Sequence, residues 1–286
     1  MYEIGLSLCG QIPTADTFAK FREAGLSHME IQLSPNDNYQ RVYELANEYG
    51  IKLWSFHLPF VPFDTIDISK RETAKHTVEV LSDLIKKAAN IGIQTMVIHP
   101  SGEPIRPADR AERIAVAQDS LAKLAEIADR EGARIAVEDL PRTCLGRNSD
   151  DILKLISADE RLRVCFDTNH LLKEDPVEFV QKVGNKIVTL HVSDYDRRNE
   201  RHWLPGEGVI DWQALLAALK TVGYQGPWMY EIHLNCPQTI VRDRDLTQAD
   251  FVRNAREIFE NKPFTVFSTP AAESAIQEYD NFFMFD

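Results

Sequence analysis

Eight short runs rich in apolar and β-branched residues punctuate the chain: YEIGLSL, HMEIQL, KLWSFHL, TMVIHP, RIAVEDL, RVCFDTN, KIVTLHV and WMYEIH. Each has the length of a strand, and amphipathic segments of helical spacing lie between them. The segment from Ser69 opens on a capping box of Ser69 and Glu72 and places Ala74, Val78, Leu81, Ile85 and Ala88 on one face. A second opens at Pro107 and carries Ile114, Leu121, Leu124 and Ala128. A third has Asp211 as its N-cap, ahead of Leu215, Leu216 and Leu219. Gly25, Gly50, Gly92, Gly132, Gly184 and Gly223 each follow a helical stretch and precede an apolar run, where a left-handed residue closes a helix. This alternation predicts an α/β protein, a single-domain (β/α)8 TIM barrel. An open doubly wound sheet would carry a glycine-rich phosphate loop after its first strand, and CGQIPTADT is not one.

Counting forward from these glycines, polar residues recur at the ends of the apolar runs. His57, His99 and His191 each lie seven residues beyond a glycine, Glu138 lies six beyond and Glu231 eight, and Asp167 ends the run that lacks such a glycine. In a (β/α)8 barrel those C-terminal strand ends form the active-site face. Strand parity turns the same residues inward. In IVTLHVSD, Thr189, His191 and Ser193 share one face, while Val188, Leu190 and Val192 face the helices. Glu138, Asp167, His191 and Glu231 then converge at the tips of strands five to eight. Three carboxylates meeting one imidazole repel one another unless a cation joins them. Oxygen-rich ligation with one imidazole suits a single divalent metal: Mn²⁺ first, with Mg²⁺, Co²⁺ or Zn²⁺ as alternatives. His28 and His76 fall in a loop and on a helix face and stay outside this group, while His233 and Asp139 are left unassigned.

A length of 286 residues and an apolar content of 44% suit one barrel, expected over 1–262, with a C-terminal tail over 263–286. The tail ends in YDNFFMFD, which would serve as a barrel cap, a subunit contact or a disordered end. No run approaches the roughly 18 apolar residues of a membrane span, and MYEIGLSLCG lacks the basic start of an export signal. The four cysteines are scattered without CxxC spacing, which points to reduced thiols. The expectation is a cytoplasmic protein with no membrane partner. A net charge of −12 argues against nucleic acid.

The motifs FHLPF, VIHPSG, VEDLPR, CFDTNHLL, LHVSDYDRRNERHWLPGEGVIDW and YEIH together resemble the xylose-isomerase-like TIM-barrel superfamily. More narrowly, they are similar to its sugar phosphate isomerase/epimerase branch, which contains ketose 3-epimerases and inosose dehydratases, with endonuclease IV as a relative. The resemblance covers roughly residues 1 to 260. It implies that Glu138, Asp167, His191 and Glu231 hold one catalytic metal, with Glu138 and Glu231 doubling as acid and base. It implies a substrate-binding set of His57, His99, His170, Arg197, Glu200 and His202, with Arg197 on a hydroxyl or phosphate. His57, His99, Glu200 and His202 also match positions that help bind three zinc ions in endonuclease IV. There the position of Glu200 is an aspartate, and the loop DLPRT departs from the nuclease's polar, glycine-rich continuation.

The expected activity is therefore a metal-dependent isomerase or epimerase of a sugar, ketose or sugar phosphate, working through an enediolate. The alternatives are an inosose-type dehydratase, a zinc phosphodiesterase of the endonuclease IV kind, or a barrel that binds a sugar without turnover. The expected partner is a small sugar or cyclitol, with a homo-oligomer as a further possibility. Substrate choice is expected to fall to loop side chains such as Trp54, Phe60, Arg142 and Trp203.

Overall fold

The computed structural model describes residues 1–282. Eight parallel strands, β1 (Ile4–Ser7), β2 (His28–Ile31), β3 (Lys52–His57), β4 (Thr95–Ile98), β5 (Arg134–Glu138), β6 (Arg163–Asp167), β7 (Ile187–His191) and β8 (Trp228–Tyr230), pair in the order β7-β6-β5-β4-β3-β2-β1-β8. The ring closes between β7 and β8. Val192 and Tyr230 form a parallel bridge there, and the Val192 N–H donates to the Met229 carbonyl at 2.8 Å. The helices that follow the strands are α1 (Ala15–Ala24), α2 (Tyr39–Tyr49), α3 (Arg71–Asn90), α4 (Arg110–Arg130), α5 (Ser149–Ile156), α6 (Pro176–Val183), α7 (Trp212–Thr221) and α8 (Gln248–Phe259). The expected TIM barrel is the observed fold.

Two apolar layers result from strand parity. Outward residues such as Met29, Phe56, Met96, Val137, Phe166 and Leu190 pack in one continuous cluster with helix residues such as Phe18, Leu84, Leu121 and Phe179. Inside the ring, Val97, Ala136 and Cys165 form a separate small cluster. Each sits two residues before a polar tip residue, namely His99, Glu138 and Asp167. Small side chains fill the narrow barrel interior and form the floor on which the polar group stands.

Some local expectations change. Asp211 caps α7, accepting from the backbone of Gln213 and Ala214 at 3.1 and 3.0 Å. Ser69 does not cap α3: the N-cap is Lys70, which makes no side-chain cap bond. The Ser69 hydroxyl donates instead to the carboxylate of buried Asp67 at 2.6 Å. The helix expected from Pro107 begins at Arg110. Gly184 opens a 3-10 turn over Gly184–Lys186 rather than a left-handed cap, with ψ at −137°.

Beyond β8, β9 (Ile240–Arg242) pairs antiparallel with β10 (Ser268–Pro270), and helix α9 (Glu273–Phe282) follows. The last four residues of the tail, 283–286, lie outside the described residues. Among the described residues no helix is long and apolar enough to cross a membrane.

Candidate active site

His191, at the tip of β7, is the centre of the site and is wholly buried. Its Nδ1 lies 2.9 Å from Glu138 Oε1, 3.5 Å from Glu231 Oε2 and 3.9 Å from Asp167 Oδ2. Atoms bound about 2.1 Å from one ion lie about 3.0 Å apart when adjacent and about 4.2 Å apart when opposed in an octahedron. Glu138, His191 and Glu231, together with His57, offer atoms that all lie within 4.8 Å of one another, while Asp167 does so with Glu138 and His170, so the four expected residues fall into two overlapping groups that share Glu138. One further observation tests the fit: Asp167 Oδ2, like Asp139 Oδ2, is buried and has no hydrogen-bond partner, whereas most buried polar atoms have one. Three carboxylates and an imidazole around an orphaned oxygen are a donor set that a divalent cation would complete.

The other ring nitrogen of His191 reveals a residue absent from the expected site. Nε2 lies 3.0 and 3.2 Å from the two oxygens of Glu30, on β2. Glu30 is fully buried, and its Oε2 also accepts from the Ser55 hydroxyl at 2.7 Å. A carboxylate on Nε2–H fixes the orientation of the imidazole, with Nδ1 facing the cluster. Burial disfavours the Glu30 anion, but the charge and hydrogen bond of His191 outweigh this and hold the group at about 2.

Glu138 joins the centre to two more histidines. Its Oε2 lies 3.2 Å from both His57 Nε2 and His99 Nε2. His57 is oriented by its Nδ1, which lies 3.0 Å from the Leu58 carbonyl. Burial opposes ionisation of Glu138, yet the charges of His191 and His99 and the hydrogen bonds of His191 and His57 hold it well below the usual carboxylate range. Glu231 moves the other way, raised by burial and by the Glu138 and Asp167 charges against the pull of His191. Paired carboxylates whose proton affinities are pushed apart are the arrangement that acid–base chemistry uses.

His170, Glu200 and His202 form a neighbouring group whose ligand-type atoms lie within 4.8 Å of one another. His170 Nε2 is 3.2 Å from Glu200 Oε2, and the other Glu200 oxygen accepts from Arg142 at 2.8 Å. Arg142 also pairs with Glu103. Asp139 does not face this group, because its Oδ1 accepts from the Asp167 N–H at 2.7 Å and pins the end of β6.

Glu138, Glu231, His57, His170 and His202 line a cavity of about 370 Å³ whose walls also include Phe60, Phe63, His99, Arg142, Glu200 and His233, while Asp167 and His191 are wholly buried and do not line it. Phe60 stacks on His99 with ring centroids 4.0 Å apart and supplies an apolar wall. Arg197 is the expected site residue that the structure leaves outside: it adopts φ 62° and pairs with Asp175 at 2.9 Å on the surface. Trp54 is turned away too. It lies in the first half of β3, donates to Thr189 at 3.1 Å, and lines a more open cleft of about 590 Å³ with Met1, His28 and Lys52. Trp203 is buried and donates to Thr239 at 2.9 Å.

Fold and cluster together define a (β/α)8 barrel with a candidate divalent-metal centre at its C-terminal mouth. The chain belongs to the xylose isomerase-like TIM barrel family, whose model matches residues 18–251. It is 30% identical over 203 residues to the uncharacterized protein MJ1311 of Methanocaldococcus jannaschii, with 68% of each chain aligned. A protein named probable endonuclease 4 from Thermoplasma acidophilum is 25% identical over 184 residues, which are 58% of this chain and 62% of that one. A Staphylococcus aureus protein of the same name is 29% identical over 199 residues, 62% and 65% of the two chains. The chain thus spans less than two thirds of either. Among solved structures, a D-tagatose 3-epimerase-like protein superimposes with a TM-score of 0.75 at 25% identity, over 91% of this chain and 97% of that one. An L-ribulose 3-epimerase superimposes with a TM-score of 0.77 at 20% identity, over 99% of each, a likeness of fold.

Proposed function

We propose that this chain is a sugar isomerase/epimerase-like enzyme that depends on one divalent metal, held by Glu138, Asp167, His191 and Glu231, with Mn²⁺ favoured. The observation that carries the reading is the meeting of three carboxylates within 4 Å of a single imidazole nitrogen. The enclosing cavity, about 370 Å³, is at the small end of the roughly 300–1,000 Å³ range of ligand sites. That size suits a monosaccharide or cyclitol. A divalent cation in this site would polarise neighbouring carbonyl and hydroxyl oxygens and acidify the C–H between them. The chain's own groups do the proton work. One of Glu138 and Glu231 is placed to remove that proton and the other to return one. His99 offers its Nδ1 to a substrate hydroxyl, His57 and His170, whose ring nitrogens are held by Leu58, Glu138, Asp139 and Glu200, shape the wall beside it, and Phe60 excludes water from one side. Return of the proton to the neighbouring carbon gives isomerisation; return to the opposite face of the same carbon gives epimerisation. Loss of a β-hydroxyl would instead give the inosose-type dehydration.

A zinc phosphodiesterase is the second reading, supported by the His170, Glu200 and His202 group beside the first and by the two relatives named probable endonuclease 4. Metal analysis and turnover separate the two. The expected result is one exchangeable Mn²⁺ per chain, with solvent deuterium entering a C–H of a ketose or cyclitol from a panel. Three zinc ions per chain with cleavage of an abasic-site oligonucleotide would overturn the first reading, as would the absence of C–H exchange with every sugar and cyclitol in metal-replete protein.

A further inference from the structure

The loop after β7 leaves the barrel at Asp194 and returns at Trp203, where the two backbones exchange hydrogen bonds of 2.7 and 3.0 Å. Between these points Glu200 and His202 face the cavity. Arg201, between them, points the opposite way, toward Asp196 and α9. Its guanidinium is fully buried, although buried cations demand close partners. One partner, Asp196, is on the loop itself, with its Oδ2 2.9 Å from Nε. The other, Asp280, is on α9, with its two oxygens 2.6 and 3.1 Å from Nη1 and Nη2. The ring of Tyr279 lies 5.4 Å beneath the same guanidinium.

Two more links join α9 to this loop. Arg198 pairs with Glu273 at 2.9 Å and with Asp280 at 3.4 Å. Asn199 donates to Asp280 at 3.3 Å while its carbonyl oxygen accepts from Arg142 at 2.7 Å, and Arg142 in turn holds Glu200. The loop needs such support, because Arg197 and His202 both sit at positive φ, 62° and 52°, where a side-chain-bearing residue is strained. Strained backbone persists only where its surroundings over-determine it.

We infer that α9 is part of the active site: Asp280 is a positioning residue that acts through Arg201 and Asn199 to hold Glu200 and His202 against the cavity. Without Asp280 the guanidinium keeps one carboxylate partner and is drawn toward water, and Glu200 and His202, its chain neighbours, move with it. The inference concerns the cavity of the proposed isomerase, but its test uses no substrate and is independent of that reading.

The test compares the full-length chain with Asp280→Ala, Asp280→Glu and a chain ending at residue 272. Hydrogen exchange of the amides over 196–203 is expected to accelerate about tenfold or more in Asp280→Ala, because a buried ion pair loses one partner. In ring-proton NMR spectra the His170 and His202 signals are expected to shift, with those of His28 and His76 unmoved. Asp280→Glu is expected to restore both readouts most of the way. A merely structural tail would give a uniform rise in exchange across the barrel with no selective histidine shift. That pattern overturns the proposal, as do unchanged exchange over 196–203 and unchanged histidine signals in folded Asp280→Ala. If the truncated chain does not fold, the point variants carry the decision.

Discussion

Replacing Glu30 by glutamine tests whether the metal centre is built in depth. The side chain touches none of the proposed substrate, so its effect must pass through His191. Glutamine preserves the volume, and its amide oxygen can still accept from His191 Nε2–H while its NH₂ group turns toward the Ser55 hydroxyl, which can accept as well as donate. What disappears is the negative charge on the acceptor. A hydrogen bond to a charged group contributes about 1.5–3 kcal/mol, against about 0.5–1.5 kcal/mol for a neutral pair. The difference, about 1–1.5 kcal/mol, corresponds to roughly a tenfold loss of metal affinity, at the low end of the 10–100-fold cost of losing such an outer partner. Glu30→Ala should cost more, because it also leaves the buried ring nitrogen and the Ser55 hydroxyl unpaired. The assay is a competition titration of metal-free protein with Mn²⁺ against a chromophoric chelator at fixed pH, with thermal unfolding as a control for the fold. An unchanged or tighter Kd for folded Glu30→Gln would refute the assignment of Nδ1 as the ligating atom and of Glu30 as the group that orients it.

Three more outcomes follow from the geometry. Mn²⁺ at about 100 times its Kd should stabilise the fold by about 2.7 kcal/mol, and a chelator should remove that increment in thermal unfolding. Asp194→Ala should cost about 3–5 kcal/mol in chemical denaturation, because Asp194 accepts from the backbone of Tyr195, Gly206 and Ile210 and from the Trp212 indole, and all these donors would lose their partner. Acid should release α9 before the barrel unfolds. Burial opposes the Asp280 anion, but its hydrogen bond and charge pairing with Arg201 depress the group below its ordinary value, in surroundings that also include Asp196, Arg198, Glu273 and Tyr279. A depressed value means that the contribution is complete above the unfolded value, about 3.9, and is lost as pH falls below it toward the folded value. Exchange over 196–203 should therefore rise below about pH 4 in the parent and be insensitive to that step in Asp280→Asn.

The barrel was legible because its signal is redundant: apolar runs, helical faces and left-handed glycines repeat the same unit. The polar cluster at the barrel mouth was legible because parity and strand-end position together decide direction, and His57, His99, Glu138, Asp167, His191 and Glu231 all stand at or just past strand tips. Glu30 was passed over because it sits inside β2, between buried Met29 and Ile31. A carboxylate between two buried residues in mid-strand was itself the available signal, since burial on that scale requires a partner. Trp54 and Arg197 fail for opposite reasons. Trp54 is too early in its strand to reach the mouth, and Arg197 is turned outward by a positive φ that no local motif announced. The Arg142–Glu103–Glu200 and Arg201–Asp280 links join segments 39 to 79 residues apart, and nothing in linear spacing specifies such pairs.

Charge balance favours the proposed single cation over a cluster of three. Glu200 is already compensated: Arg142 takes one oxygen and His170 the other, and Glu103 shares the same guanidinium. A further cation at His170, Glu200 and His202 would have to displace or approach the partly exposed Arg142, at a cost in like-charge repulsion. The inner group differs. The described partners of Glu138, Asp167 and Glu231 at ion-pair distance are all imidazoles, and one Asp167 oxygen has no hydrogen-bond partner at all. Imidazoles are acceptable companions to carboxylates only as long as they keep their protons, and a metal supplies the same positive charge without them. The cluster therefore gains most from a cation where Asp167 is unmet, and gains little where Arg142 already stands.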